Sequence, residues 1–265
     1  MSIYKELSYE QNVDLITGIQ FSVMSADEIR ERSVAEILST DTYAGNEPIH
    51  GGLFDPRMGV TDHSKICTTC EQKNTFCPGH FGHIELAKPL FYIHYFDTIK
   101  KLLKCVCFKC SKLLIDKDSP ELKRILSKKI SRQKKFDAIY KICSKNKIKR
   151  CGNSTENNGC GAKQPSKITK DNIGKITLQW KDNKEDEEKI EHTYLASDIL
   201  KILSRITDED SDILGFPKKI NRPENLICQV FPVCPPAVRQ SVTNDTGQRC
   251  HDDLTHKLCD IVKTN

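Results

Sequence analysis

Eight side chains carry the recognisable chemistry of this sequence. Cys67, Cys70, Cys77 and His80 follow a C-x2-C-x6-C-x2-H pattern in "CTTCEQKNTFCPGH". A pair of ligands two residues apart converges on one tight turn, and two such turns close the tetrahedral shell that zinc requires. All four positions are then protein ligands, so the chemistry is structural rather than catalytic. His83 has the wrong spacing from Cys77 for such a turn, and a core or surface role is expected for it. Cys107 and Cys110 make a second turn in "CVCFKC". Their partners must come from elsewhere, and Cys151 with Cys160 is the best available pair. Cys105 competes with Cys107, but the separation of Cys107 from Cys110 is the standard one and is preferred. Closing the intervening loop costs about 3 kcal/mol beyond a constant. A structural zinc contributes roughly 10–16 kcal/mol to folding, so the loop does not forbid the site.

Composition bounds what these ligands serve. The chain has 265 residues, 13 cysteines and a formal charge of +5. Its most apolar run, "LFYIHYF", is too short to span a bilayer, and "MSIYKELSYEQN" at the N-terminus has no apolar signal core. A reducing compartment is therefore expected, in which the cysteines are not a disulfide framework. Cys105, Cys143, Cys228, Cys234, Cys250 and Cys259 read as small core residues or inert thiols. Zinc-bound cysteines are thiolates, so two filled sites lower the net charge to about +2. The local distribution says more: residues 98 to 150 carry eighteen Lys or Arg against four Asp or Glu. Such a field favours a polyanion. There is no Gly-rich phosphate loop, no nucleophile elbow and no Asp/Glu cluster arranged for Mg²⁺, and no catalytic residue is assigned.

The elements that must position the ligands are partly legible. "SADEIRERSVAEIL", residues 25 to 38, reads as a helix opened by a Ser25–Glu28 capping box, with Val34, Ile37 and Leu38 on its apolar stripe. Residues 90 to 104 read as a buried helix leading into the second cluster. Ser119 caps a helix with Pro120 in its first turn, and Phe136, Ile139, Tyr140 and Cys143 repeat helical spacing. "KITLQWKD" and "KIEHTYL" alternate as a strand hairpin around the charged link "KDNKEDEEK". Ser197 is expected to cap a short helix, and "QVFPVCPPAV" to be an extended crossover. Leu254, Leu258, Ile261 and Val262 share a helical stripe without a stop signal, the pattern expected of a truncated chain.

"GGLFDPRMGVTDHSKICTTC", "CPGHFGHIELAKPLF", "CVCFKCSKLLID", "GCGAKQP", "PPAVRQS" and "DDLTHKL" follow one another along nearly the whole chain. In that order they resemble the N-terminal region of the largest subunit of multisubunit DNA-directed RNA polymerases, nearest in character to the RNA polymerase II type. The resemblance implies an α+β fold, a zinc-stabilised clamp core and clamp head. It divides the chain into clamp core at 1–94, clamp head at 95–226, and a return to the core at 227–265 with a lid loop at about 241–256. It implies two structural Zn²⁺ ions on the eight ligands above. The Mg²⁺ of nucleotidyl transfer belongs to a downstream region not contained here, so this segment alone is not expected to be catalytic. Implied partners are the second-largest and other polymerase subunits, the DNA template and the RNA–DNA hybrid, with no membrane. Arg239 and Arg249 are the candidates for nucleic-acid proximity, since guanidinium forks suit phosphates. Gln240, where the family commonly has proline, and Cys250 depart from the family pattern in the lid region. Frequent Lys, Ile and Asn fit a protist or a large DNA virus as host, hence a nucleus, a cytoplasmic viral factory or a virion. A free-standing zinc-binding regulator of nucleic acid is the other reading.

Overall fold

A computed structural model describes residues 17–19, 21–45, 47–146, 148–152, 159–171, 174–180, 190–218, 220–243 and 249–265. In chain order the main elements begin with α1 (Ala26–Arg32), β1 (Ala35–Glu36), the small hairpin β2 (Tyr43–Ala44) and β3 (Glu47–Pro48), and β4 (Gly82–Phe91). There follow α2 (Phe96–Cys105), α3 (Pro120–Leu126), α4 (Arg132–Asn146), β5 (Lys167–Lys170), β6 (Ile176–Trp180) and β7 (Ile190–Tyr194). The remainder is α5 (Ala196–Ser204), α6 (Asp208–Ile213), β8 (Ile227–Val233), β9 (Val242–Thr243), β10 (Arg249–Cys250) and α7 (Asp253–Thr264). Helix and strand are mixed but locally segregated, an α+β arrangement. None of the described helices is long and apolar enough to cross a membrane.

Two apolar cores organise these elements. One gathers Ala35, Ile37, Leu53, Phe54, Met58, Ile84, Val233 and Leu258. It lies about the sheet β1-β4-β8, in which β1 runs parallel and β8 antiparallel to β4. The capping box forms as expected, with Ser25 Oγ accepting from the Glu28 N–H at 3.2 Å and Glu28 Oε2 from the Ser25 N–H at 2.8 Å. The helix it opens is shorter than its stripe suggests. It ends at Arg32, Ser33 turns extended, and the N–H groups of Val34 and Ile37 donate to Phe81 and His83 carbonyls. β-Branched Val34 and Ile37 favour extended chain once a strand is present to pair with, and that strand lies some fifty residues on. Leu38 is left exposed.

β4 likewise claims Leu90 and Phe91, which pair with Cys228 and Ile227, so the helix expected from residue 90 begins at Phe96. Pro89 cannot donate to a ladder and sits where the β4–β8 register shifts, between Glu85 and Leu90. The Asn265 side chain fills part of that gap. Its amide donates to the Glu85 carbonyl at 2.7 Å and its Oδ1 accepts from the Ala87 N–H at 2.8 Å. α7 forms where its stripe predicts, with Leu258 buried and Ile261 and Val262 packed against the core, although Leu254 faces solvent.

The second core gathers Ile99, Leu102, Leu103, Leu122, Ile139, Ile168, Ile176, Leu178, Ile199 and Leu203 among others, from residues between Phe96 and Ile227. Ser119 caps α3 by accepting from the Leu122 N–H at 3.3 Å, with Pro120 in the first turn. Phe136, Ile139 and Cys143 are the buried stripe of α4. β6 and β7 form the expected antiparallel hairpin, Trp180 opposite Ile190, in a sheet of order β5-β6-β7. Its charged link, 181–189, lies outside the described residues. α5 begins at Ala196, with Leu195 rather than Ser197 as the capping residue, and Asp198 Oδ2 accepts from the Leu195 N–H at 3.3 Å.

Candidate metal centres

The same local turn is built three times. In the first, Ile66 and Lys73 form an isolated antiparallel bridge around Cys67 and Cys70. The Cys67 N–H donates to the Gln72 carbonyl at 3.0 Å, the Glu71 N–H to the Cys67 carbonyl at 2.9 Å, and Glu71 takes a left-handed φ of 56°. In the second, Val106 and Leu113 bridge around Cys107 and Cys110, with the matching bonds Cys107 to Lys112 (2.8 Å) and Ser111 to Cys107 (2.9 Å), and Ser111 at φ 61°. In the third, Arg150 and Lys163 bridge around Cys151 and Cys160. Cys151 donates to Ala162 and Gly161 to Cys151, both at 3.0 Å, with Gly161 at φ 68°. The third turn differs only between its cysteines, where Gly152 and Gly159 pinch the chain. A Cβ on Gly159 would lie 2.5 Å from the Gly152 backbone. Residues 153–158 between them lie outside the described set.

Cys77 and His80 complete the first centre from a different turn. The Cys77 N–H donates to the Lys73 carbonyl, and the His80 N–H to the Met58 carbonyl, each at 2.9 Å. Gly79, at φ 79°, packs so closely on Pro235 that any side chain there would collide with the ring. Thr69 Oγ1 donates to the Arg57 carbonyl at 2.7 Å. The centre is thereby joined to the 56–58 turn, whose Asp55 is fully buried under the Arg57 guanidinium at 2.7 and 2.9 Å. Burial alone would raise the Asp55 pKa, but the Arg57 side chain and the Gly51 and Arg57 N–H groups hold it below the usual carboxylate value.

Within each set of four, all ligand atoms lie within 4.8 Å of one another. Cys107 and Cys160 sulfurs are 3.6 Å apart, Cys110 and Cys151 3.7 Å, and Cys77 Sγ lies 3.8 Å from His80 Nε2. A zinc tetrahedron with Zn–S bonds of about 2.3 Å has sulfur–sulfur edges of about 3.8 Å. A disulfide would need about 2.05 Å, and all thirteen cysteines are free. Burial pushes the Cys77 thiol up to about 11, against the Gly79 N–H and with the help of its neighbours Cys70 and Cys67. Burial likewise pushes Cys151 up to about 12. The three sulfurs of the first set and the four of the second ionise together only beside a cation, so the donor sets fit a thiolate-seeking divalent metal such as zinc.

Residues 67, 70, 77 and 80 are thus brought together, as are 107, 110, 151 and 160. Cys105 is buried away from the ligands, its pKa raised first by the hydrogen bond with Cys143 and then by burial. His83 is no ligand either: its Nδ1 lies 2.7 Å from Ser33 Oγ. Gln164, in the "GCGAKQP" stretch, had no role readable from spacing. Its buried Nε2 donates to Cys107 Sγ at 3.2 Å, the kind of outer contact that orients a ligand.

The two arginines fare differently. Arg239 is fully buried and has no carboxylate partner among the described residues. Its Nε donates to the Cys234 carbonyl at 3.0 Å, Nη1 to Thr255 Oγ1 at 3.4 Å and Nη2 to the Leu53 carbonyl, with the guanidinium 5.0 Å from the Phe54 ring centre. Burial lowers its pKa, partly offset by Cys234. No part of it reaches the surface to meet a phosphate. Arg249 lies over the Tyr43 ring at 4.0 Å and 3.8 Å from Asp62, in the β9–β10 pair. The tip of the expected lid, 244–248, lies outside the described residues.

Comparison with known proteins places these features in a family. The family model described as RNA polymerase Rpb1, domain 1 matches residues 13–265. The chain is 41% identical over 261 residues to the DNA-directed RNA polymerase II subunit RPB1 of Euplotoides octocarinatus, an alignment covering 94% of this chain and 53% of that protein. The chain therefore spans about half the length of the curated relative it matches.

Proposed function

The chain belongs to the RNA polymerase Rpb1 domain 1 family, the N-terminal region of the largest subunit, and from that premise we propose that it forms the clamp of a eukaryotic-type DNA-directed RNA polymerase. In this reading residues 1–94 and 227–265 make the clamp core, 95–226 the clamp head, and about 241–256 the lid. The observation that carries it is the pair of closed four-ligand shells on one chain. Each shell joins turns that the sequence separates, and neither leaves a position for a substrate.

A zinc ion in each centre would offset two of the thiolate charges and cross-link two turns. The first centre braces the start of β4 against the 56–58 turn and the Pro235 segment, where the two ends of the core meet. The second ties the end of α2 to the 150–163 segment and so closes the base of the basic subdomain. A jaw stiffened at both places moves as one body, which suits retention of template DNA and the RNA–DNA hybrid by a hinged clamp. The excess of Lys and Arg over residues 98–150 supplies the field that attracts phosphate. Arg249, held by Tyr43 and Asp62, orients the root of the lid beside that path.

Nucleotidyl transfer, and the Mg²⁺ it uses, belong to the complete polymerase assembled with the second-largest and other subunits, and its place is the nucleus. The test is metal content. Zinc measured by plasma mass spectrometry falls from two ions to one in Cys67→Ser and in Cys107→Ser, and stays at two in Cys105→Ser. Two ions retained in either ligand variant would sink the assignment.

A further inference from the structure

The sheet β5-β6-β7 has one buried face, and that face runs out before its last strand. Ile176, Leu178 and Trp180 of β6 are buried, while their direct partners on β7 are the half-buried Tyr194 and the exposed His192 and Ile190. Beside them opens a cleft of about 330 Å³ lined by Phe108, Lys163, Trp180, Ile190, His192 and Tyr194. Four of its six lining residues carry aromatic rings. Phe108 and His192 meet the indole at centroid distances of 5.3 and 5.5 Å and at angles of 69° and 70°, so neither ring stacks flat on it. The cleft is anchored to the second metal centre. Trp180 Nε1 donates to the Lys163 carbonyl at 3.0 Å, and Lys163 is bridged to Arg150, next to Cys151.

We propose that this cleft receives one unstacked base of a single-stranded nucleic acid, with the exposed Arg150 at its mouth meeting the neighbouring phosphate. The volume lies at the lower end of the range for small-ligand sites, as suits one planar ring rather than a larger ligand. Aromatic walls offer π faces that every base can use, and the His192 ring and Tyr194 hydroxyl are polar groups for its edge. Paired residues of an antiparallel bridge project to the same side, so the exposed Arg150 shares the face on which Lys163 lines the cleft. The exposed Arg150 disfavours an ammonium ligand and favours an anionic group beside the base. The inference rests on the reading that this subdomain meets nucleic acid and adds where and how it grips.

The chain contains a single tryptophan, Trp180, so its fluorescence reports the cleft directly. The 265-residue chain is titrated with an oligothymidylate and with an abasic strand of equal length, following both tryptophan emission and the anisotropy of an end label. The base-bearing strand quenches emission saturably and the abasic strand does not. Stacking on one aromatic residue is worth about 1–3 kcal/mol, so exposed His192→Ala weakens oligothymidylate binding about 5-fold or more and leaves abasic binding unchanged. If both strands bind equally with unchanged emission, contact is to the backbone alone, the cleft is left to a protein segment, and the proposal falls while the nucleic-acid reading stands. If neither strand binds, both fall.

Discussion

Arg239 offers the sharpest test of the packing argument. Replacing it with Ala removes three donors from carbonyl and hydroxyl acceptors, one of them the carbonyl of fully buried Leu53. Hydrogen bonds to a charged group contribute about 1.5–3 kcal/mol each. The bond to Thr255 is long at 3.4 Å, which leaves two substantial ones. Rehydration of the guanidinium in the unfolded chain offsets part of their sum, and a net loss of about 3 kcal/mol follows. For a chain of this size that is a fall in Tm of about 6–12 °C. Arg239→Lys keeps the charge but not the fork, and falls by a comparable amount because one ammonium cannot reach Cys234, Leu53 and Thr255 together. The assay pairs thermal melting with the salt dependence of DNA binding. A phosphate contact contributes close to one unit of slope in log affinity against log salt, whereas a buried tie contributes none. Unchanged melting together with a slope shallower by about one would show that Arg239 meets nucleic acid and that the burial argument is wrong.

Asp55→Asn costs about 1–3 kcal/mol at neutral pH, since Arg57 is partly exposed and keeps some solvation. Because the Asp55 carboxyl is held below its ordinary value when folded, the unfolded chain takes up the proton first. The wild-type advantage is therefore complete above about pH 4 and shrinks as pH falls through the depressed folded value; denaturant melts across that range check it, and parallel curves for the two proteins would refute it. Gly159→Ala places a Cβ 2.5 Å from the Gly152 backbone and spreads Cys151 from Cys160, so zinc content falls from two to one with the first centre intact; retention of both ions would show that the pinch yields.

Much of the fold and of the candidate site was legible in the sequence, for a common reason. A two-residue ligand spacing, a Ser–Glu capping box, Pro120 in a first turn, and alternation over 176–180 each act within one turn or one strand. Six of the eight candidate ligands, α3, α4, α7 and the β6–β7 hairpin follow from such signals. Resemblance supplied the family, and the ligand pairing it implies for the second centre agrees with the one reached from spacing.

Tertiary partners far along the chain decided the rest. Residues 33–37 leave the helix because β4 offers a parallel edge, and Leu90 and Phe91 leave another because β8 lies opposite them. Arg239 turns inward because the Leu53 carbonyl, 186 residues away, and the Phe54 ring wait there to receive it. In sequence the residue is one more basic side chain, with nothing nearby to distinguish a phosphate ligand from a structural tie. The cleft at Trp180 exists because the cover over the sheet stops at β6 and leaves the facing Ile190 and His192 of β7 exposed. Ligand identity is written in local spacing because coordination is short-ranged, while burial depends on which distant surfaces the fold brings together.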